Sequence, residues 1–545
     1  MSQSLDTVRD DEPRWIPWVG YGLAFLCLPL FAAVAVVYGK EADWDFQNYH
    51  WYDPYSLLNG RLGFDIAVAH HATYYNPFLD VPTYWIGTHF PAWLAGAWMG
   101  AEAGLVAALI GAIAYRLLPF GNTRTRLSVS IFLALSAMTG GGAAGEIGKT
   151  SDDIVSGLGA IAGLFALICW FPRVVRAEGR DLLAVAFAGF LTGASPGLKL
   201  TTLPYAIGWS LGVLALPGSL VRRFLRTLVF GLGIVTGMLV FGGTWFWTMF
   251  QYGGNPVFPY FNDLFHSNLV PEGSFRDTNF LPRNWHDRLL YPFLFSENSR
   301  LVAEWSFRDI HILIAYIVGP IAAVTAIFAR PAAGRRLVDP LKARLLLVAA
   351  GVTYLIWVFM FGIYRYLIPL EMLAGLVIVS AVAILPLKSG MRLGIMIVLL
   401  GAAQISAWKG ELVRFDWTGP YVGVTVPPIA DPAHTMILMS GSAPMAYVIP
   451  SFPKEIPFLR IQGWLIGAGD TTSDLGKEMR RRVAEHQGPL LGLYWPRERD
   501  GAIEAFGHYG YKLDEAGCQK VETNIQFPVD QGLPLELCPL TRIAS

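Results

Sequence analysis

The sequence predicts a polytopic α-helical membrane protein with a small C-terminal α/β domain, and three observations carry that expectation. The 545 residues are 54% hydrophobic and only 15% charged, with a mean hydropathy of +0.43, which is too apolar for a soluble chain. Apolar runs long enough to cross hydrocarbon recur through residues 1–408, whereas 409–545 alternates in short segments. Basic residues gather in every second connection between the runs. The formal net charge of zero gives no reason to expect a nucleic-acid partner.

The first run, 15–38, is longer than a secretory core and follows Asp10, Asp11 and Glu12 where a signal peptide carries basic residues, so it is expected to stay as an anchor. Further runs at 92–118, 127–146, 153–172, 182–198, 201–217, 227–250, 310–329, 345–363, 367–387 and 393–408 bring the predicted spans to eleven. Alternate connections hold Arg124 and Arg126, then Arg173, Arg176 and Arg180, then Arg222, Arg223 and Arg226, then Arg335, Arg336 and Arg344, and finally Lys388 and Arg392. The positive-inside rule puts these loops and the amino terminus in the cytoplasm, and an odd number of spans puts the tail outside. Residues 39–91, 251–309 and 409–545 then share the outer face.

In the tail, strand-like runs at 436–439, 458–461 and 489–494 and helical stretches at 474–486 and 500–508 indicate a soluble α/β fold. Cys27 and Cys169 fall inside apolar runs and read as small buried hydrophobes. Cys518 and Cys538 lie in a segment exposed to an oxidising compartment, and a disulfide between them is expected.

The chemistry concentrates on the outer face. Residues 43–56, D-W-D-F-Q-N-Y-H-W-Y-D-P-Y-S, suggest a short helix in the headgroup zone with Asp45, Tyr49 and Tyr52 on one side, then a second helix capped by Asp53. The rings would dip toward acyl chains and the carboxylates would face a cavity. Taken singly, Asp43 or Asp45 could be a solvated loop acid. The same segment, however, adds His50, Asp53, His70, His71, Tyr74, Tyr75, Asn76 and Asp80, a polar and aromatic density that suits a sugar site. A carboxylate partly desolvated by such rings would have its pKa raised toward that of a general base.

Residues 146–153, E-I-G-K-T-S-D-D, admit two readings: Ser151 or Asp152 caps the next helix, or Asp152 and Asp153 orient a sugar hydroxyl or hold a divalent cation. Lys199, after Pro196-Gly197, and Arg365, in G-I-Y-R-Y-L-I-P-L-E, are cations on the side opposite the basic loops. Either they snorkel to lipid phosphate or they capture a phosphate belonging to a substrate. The second outer segment, with G-N-P-V-F-P-Y-F-N followed by Arg276, Arg283 and Arg288, reads as an irregular loop whose arginines line an anionic cleft. No Walker loop, Rossmann fingerprint, H-E-x-x-H or thiolate cluster supports a nucleotide or zinc enzyme.

Taken in order, D-W-D-F-Q-N-Y-H-W-Y, Y-N-P-F-L-D, T-S-D-D, G-N-P-V-F-P-Y-F-N and R-Y-L-I-P-L-E resemble the membrane glycosyltransferases of the GT-C superfamily over residues 15–408. The resemblance implies a sugar donor carried on a polyprenyl phosphate, a glycan or lipid acceptor, inversion at the anomeric carbon and a bacterial inner membrane with its lipid as surroundings. It implies Asp45 as base with Asp43 second and Asp80 a further acid, and Lys199 and Arg365 on the lipid phosphate. Tyr49, His50, His71, Asn76, Asp152, Asp153, Arg276 and Tyr366 are the other expected substrate contacts. No cofactor is required, although Asp152 and Asp153 leave a divalent cation open. The chain lacks the adjacent Asp-Glu pair of many protein mannosyltransferases and the W-W-D-x-G signature of oligosaccharyltransferases, which argues against a protein acceptor. Two other classes compete: a transporter or flippase of lipid-linked sugars, which predicts repeated halves with broken helices, and an O-antigen ligase or polymerase, which relies on outer-face arginines.

Overall fold

The computed structural model describes residues 16–119, 122–151, 153–328, 337–525 and 533–543. Among them, seven helices are long and apolar enough to cross a membrane: Val19–Tyr38, Ala92–Leu117, Asp181–Leu198, Leu220–Gly253, Pro340–Met360, Tyr364–Ile384 and Ser389–Ser406. Three shorter apolar helices, Val155–Cys169, Leu200–Leu214 and His311–Ala326, lie between them in sequence. Tyr364–Ile384 forms the axis of the bundle, since 94% of its apolar window is buried against 22% for Val19–Tyr38 and for Ser389–Ser406. The helix Leu220–Gly253 turns the opposite way: Leu228, Leu232, Val235 and Leu239, at helical steps of three and four, are all exposed.

Small residues set the closest helix pair. A Cβ on Gly193 would stand 2.0 Å from the Ile234 carbonyl oxygen, and one on Gly237 would stand 2.1 Å from that of Phe190. The backbones of Asp181–Leu198 and Leu220–Gly253 therefore touch, as small-residue seams allow in lipid.

Four predicted spans differ from expectation. The run 127–146 breaks into Thr123–Ser136 and Gly141–Glu146, and buried acids take the first amides of the second helix: Gly141 N donates to Asp309 (2.9 Å), and Gly142 N and Ala143 N donate to Glu371 (3.2 and 3.0 Å). The run 153–172 becomes regular α-helix only at Leu158, since Asp153 at its start is drawn to Lys199. The runs 201–217 and 310–329 hold the shorter helices named above.

Nine strands were found among the described residues: β1 (Lys40–Glu41), β2 (Arg414–Phe415), β3 (Val424–Thr425), β4 (Met436–Ser440), β5 (Phe458–Gln462), β6 (Leu490–Tyr494), β7 (Tyr511–Leu513), β8 (Gln519–Thr523) and β9 (Leu535–Arg542). Strands β3 to β9 form one sheet in the order β3-β8-β9-β6-β4-β5, with β7 also on β9. β4 runs parallel to β5 and β6, while β9 is antiparallel to β6, β7 and β8. The helices Asp474–Glu485 and Arg499–Gly507 bury Met479 and Phe506 on this sheet, and a disulfide joins Cys518 to Cys538 in β9.

The composition changes near residue 409, but the packing is continuous. β1, from the first outer segment, pairs with β2. Ile66 N donates to Phe458 O and Arg460 N to Ile66 O, each at 3.0 Å. Arg61 pairs with Asp65 at 2.5 Å and donates to the carbonyls of Lys454 and Ile456, both at 2.7 Å. Asp65 in turn accepts from Phe458 N (2.9 Å) and the Tyr52 hydroxyl (2.8 Å). The second outer segment joins as well, where Asp474 N donates to Asn268 O at 2.8 Å. Phe46, Trp51 and Tyr52 share one core with Tyr421, Ile437 and Tyr447 of the tail. The rings of residues 43–56 therefore face the sheet domain, where the expectation had them dipping into lipid; a close-packed protein face gives them more dispersion contact.

Removing one partner of the Arg61–Asp65 pair would strand a fully buried charge. Arg61→Ala should lower stability by on the order of 3 to 5 kcal/mol, read as a lower melting temperature and earlier proteolytic release of the tail. Unchanged melting would show that this seam does not hold the domain.

Candidate functional site

A cavity of about 110 Å³ opens where helix ends meet the segments 39–91 and 251–309. Its apolar wall includes Trp245, Phe246 and Met249 from the last turns of Leu220–Gly253, with Val257 and Phe258. Its charged lining is Asp45, Asp80, Lys199 and Arg365, accompanied by Tyr49, His50, Asn76 and Tyr366.

Asp45 precedes a five-residue π-helical turn, Phe46–His50. The wide turn breaks the expected helical face. Tyr49 lines the cavity, whereas Tyr52 points away and donates to Asp65. Asp43 is not in the lining: it accepts from Phe46 N at 3.0 Å and lies 3.5 Å from Lys149 Nζ, so its work is structural, and the expectation of a second base is corrected. Asp53 caps nothing, because it sits inside the first turn of the helix Tyr52–Asn59, with neither carboxyl oxygen hydrogen-bonded among the described residues. Burial, and then the Asp80 charge, push its carboxyl well above the ordinary range.

Arg365 is presented by the 3₁₀ turn Tyr364–Leu367 at the head of the axial helix. Gly362, at φ 68°, permits the approach to this turn: a Cβ there would lie 2.1 Å from Phe280 O. The guanidinium donates to Asp45 Oδ2 and lies 3.8 Å from both Asp153 Oδ2 and Glu304 Oε1. Lys199, in extended conformation just past the helix Asp181–Leu198, donates to Asp153 Oδ1 at 2.8 Å and to Ser151 O. A single chain of alternating charge thus runs Asp45–Arg365–Asp153–Lys199.

This network corrects the electrostatic expectation for Asp45. Burial alone would raise its pKa, but the Arg365 guanidinium, with His50 and Lys199 adding to it, holds the carboxyl below its ordinary value. The resting group is a stabilised carboxylate, and a weaker base than the sequence suggested.

The remaining candidates divide. His50 Nδ1 lies 2.7 Å from Asp80 Oδ1, and Tyr49 packs on the His50 ring at 4.0 Å. The Tyr75 and Tyr260 hydroxyls touch, both kept protonated by burial. Asn76 ties the first segment to the Gly197 carbonyl at 3.2 Å. His71 stands behind Tyr75, ring centroids 5.7 Å apart, outside the lining. Arg276 is exposed and absent from the lining, so the second segment does not supply the anionic cleft expected of it; its share is apolar, from Pro256 to Tyr260. Asp152 lies outside the described residues, and Ser151 caps no helix, because its hydroxyl donates to Glu146.

Two contributors were missed. Glu304, beside Arg365, stands in no motif. Trp245, Phe246 and Met249 read as membrane span; the signal available was a helical pattern running past the length that hydrocarbon requires. For a metal, the group with suitably close ligand atoms among the described residues is Cys518, Glu536 and Cys538, whose two sulfurs are already joined to each other. Asp153 instead has Lys199 and Arg365 for neighbours.

Compared with known proteins, the chain matches no family model, no curated protein and no solved structure.

The Asp45–Arg365 pair has a pH signature. A depressed carboxyl contributes stability that is complete above the ordinary aspartate pKa, about 4, and is lost as pH falls through the depressed value. The melting-temperature gap between wild type and Asp45→Asn should therefore be widest near neutrality and close at pH below about 4. A gap of equal size at all pH values would contradict the pairing.

Proposed function

We propose that this chain is a membrane glycosyltransferase that moves a sugar from a polyprenyl-phosphate donor to a hydroxyl of a glycan or lipid acceptor on the outer face of the membrane. The observation that carries this reading is the presence of the carboxylate Asp45 and the cations Arg365 and Lys199 in one apolar-walled cavity at the ends of long apolar helices. Apolar walls suit a polyprenyl chain, and the cations suit its phosphate.

In the reaction, Asp45 takes the proton of the acceptor hydroxyl while the oxygen bonds to the anomeric carbon from the face opposite the phosphate. The carbon–oxygen bond to the phosphate breaks, the centre inverts, and the polyprenyl phosphate leaves as an anion held by Arg365 and Lys199. A lipid phosphate is already a competent leaving group, so this scheme calls for no metal. The resting ion pairs fit into it directly. An arriving phosphate draws Arg365 from Asp45 and Lys199 from Asp153, and the freed Asp45 regains basicity only once donor is bound. His50, Asp80 and the paired tyrosines then face the sugar.

On this reading the shorter helices complete the crossings, the amino terminus is cytoplasmic, and the sheet domain stands outside a bacterial inner membrane. Reporters fused after Arg126, Arg180, Arg226, Arg344 and Arg392 should report cytoplasm, and one at Ser545 the outer side. A cytoplasmic tail would sink the arrangement.

Catalysis is tested in nanodiscs with synthetic undecaprenyl-phosphate hexoses, following release of undecaprenyl phosphate. Asp45→Asn should reduce turnover by on the order of 10² to 10⁴ without weakening donor binding, since Arg365 is then no longer held by a carboxylate at position 45. Arg365→Ala should weaken donor binding and turnover together, and Arg365→Lys should restore only part, since an ammonium lacks the two-pronged fork. If Asp45→Asn and Asp80→Asn both transfer normally, the reading gives way to a transporter of lipid-linked sugars.

A further inference from the structure

Trp464 is a large aromatic side chain that is held in place but left uncovered. Its indole is 57% exposed, in the loop after β5, while its neighbours Leu465 and Ile466 are buried. It stacks on Trp44 with ring centroids 4.7 Å apart and planes 9° apart, and on His70 at 5.2 Å and 19°. Trp44 and His70 are themselves near-parallel and 6.0 Å apart. Rings on opposite faces of an indole would be separated by two stacking gaps, about 7 Å or more. Trp44 and His70 therefore do not sandwich Trp464, and more than half of the residue stays exposed.

The backbone fixes the ring further. Trp464 N donates to His70 Nδ1 at 3.1 Å, and Gly463 makes this approach possible, since a Cβ there would fall 2.3 Å from that nitrogen. His70 is buried at 0% exposure, and burial followed by the Arg460 guanidinium keeps its ring neutral, so its Nδ1 is available to accept.

The platform lies near the cavity. His71 lies 6.4 Å from Trp464 and 5.7 Å from Tyr75, and Tyr75 lines the cavity beside Asp45, the chain neighbour of Trp44. His71 thus brings a hydrogen-bonding ring between the platform and the cavity-lining Tyr75. An isolated, rigid, flat apolar surface with polar groups at its rim matches a pyranose ring, which has one face of C–H groups and hydroxyls around its edge.

We propose that the exposed face of Trp464 is a sugar-binding platform that holds a pyranose ring of the acceptor next to the cavity. This rests on the glycosyl-transfer reading for the word acceptor, but the binding itself does not.

The test is saturation-transfer NMR on the full-length protein in nanodiscs, with methyl β-glucopyranoside, methyl β-galactopyranoside and methyl α-mannopyranoside as probes. Wild type should transfer saturation to the ring protons of at least one probe. Trp464→Ala should reduce this by about fivefold or more, as expected when one stacking face is lost, and Trp464→Phe should retain part. Trp285→Ala, an exposed tryptophan on the helix Trp285–Glu297, should change nothing. Melting temperature checks that each variant is folded, and the Phe variant keeps a supporting ring should the Ala variant unfold. No transfer to any probe in wild type, an unchanged signal in both Trp464 variants, or an equal loss in Trp285→Ala would overturn the platform. Sugar binding without donor turnover in the nanodisc assay would instead remove the transferase reading and leave the platform standing.

Discussion

The contact between Asp45 and Arg365 is the constraint on which the site depends. Both side chains are largely withdrawn from water, at 14% and 17% exposure. An unpaired charge in that position costs several kcal/mol, so the first outer segment and the head of the axial helix are held together electrostatically. Asp153 and Lys199 extend the same logic to the end of a neighbouring helix. The cavity is consequently assembled by its own charges before any ligand arrives, and the same pairing that assembles it suppresses the basicity of Asp45.

Around those charges, the segments 39–91 and 251–309 pack with the tail as one unit. The Arg61–Asp65 pair, the β1–β2 ladder and the contact between Asn268 and Asp474 join stretches that are far apart in sequence. Deeper in the bundle, Glu371 accepts from the Gly142 and Ala143 amides, which fixes the axial helix one and a half turns below Arg365. The position of the guanidinium is thereby set from both sides.

Much of this was legible in the sequence where the signal is periodic or compositional. Hydropathy marked the helices, short strand-like apolar runs marked β4, β5 and β6, and the cations Lys199 and Arg365 stood out against the basic loops. What stayed illegible depends on partners distant in the chain. Nothing local to D-W-D told that Asp43 would face Lys149 and Asp45 would face Arg365. A π-helical turn has no sequence period of its own, so the face carrying Tyr52 was assigned to the wrong side. The apolar run 127–146 gave no sign that Asp309 and Glu371 would take its amides. The aromatics of the first segment read as lipid-facing because their true cover, the tail, begins more than three hundred residues later.

The 34-residue helix Leu220–Gly253 has a mechanical consequence. At 1.5 Å per residue it is about 51 Å long, roughly 20 Å more than a hydrocarbon core. Trp245, Phe246 and Met249 in its last turns form the apolar wall of the cavity, so a rigid rod sets how far the site stands above the acyl chains. Membrane thickness then becomes a variable of the site: a thick bilayer brings its headgroups up to the cavity, and a thin one leaves the cavity farther above them.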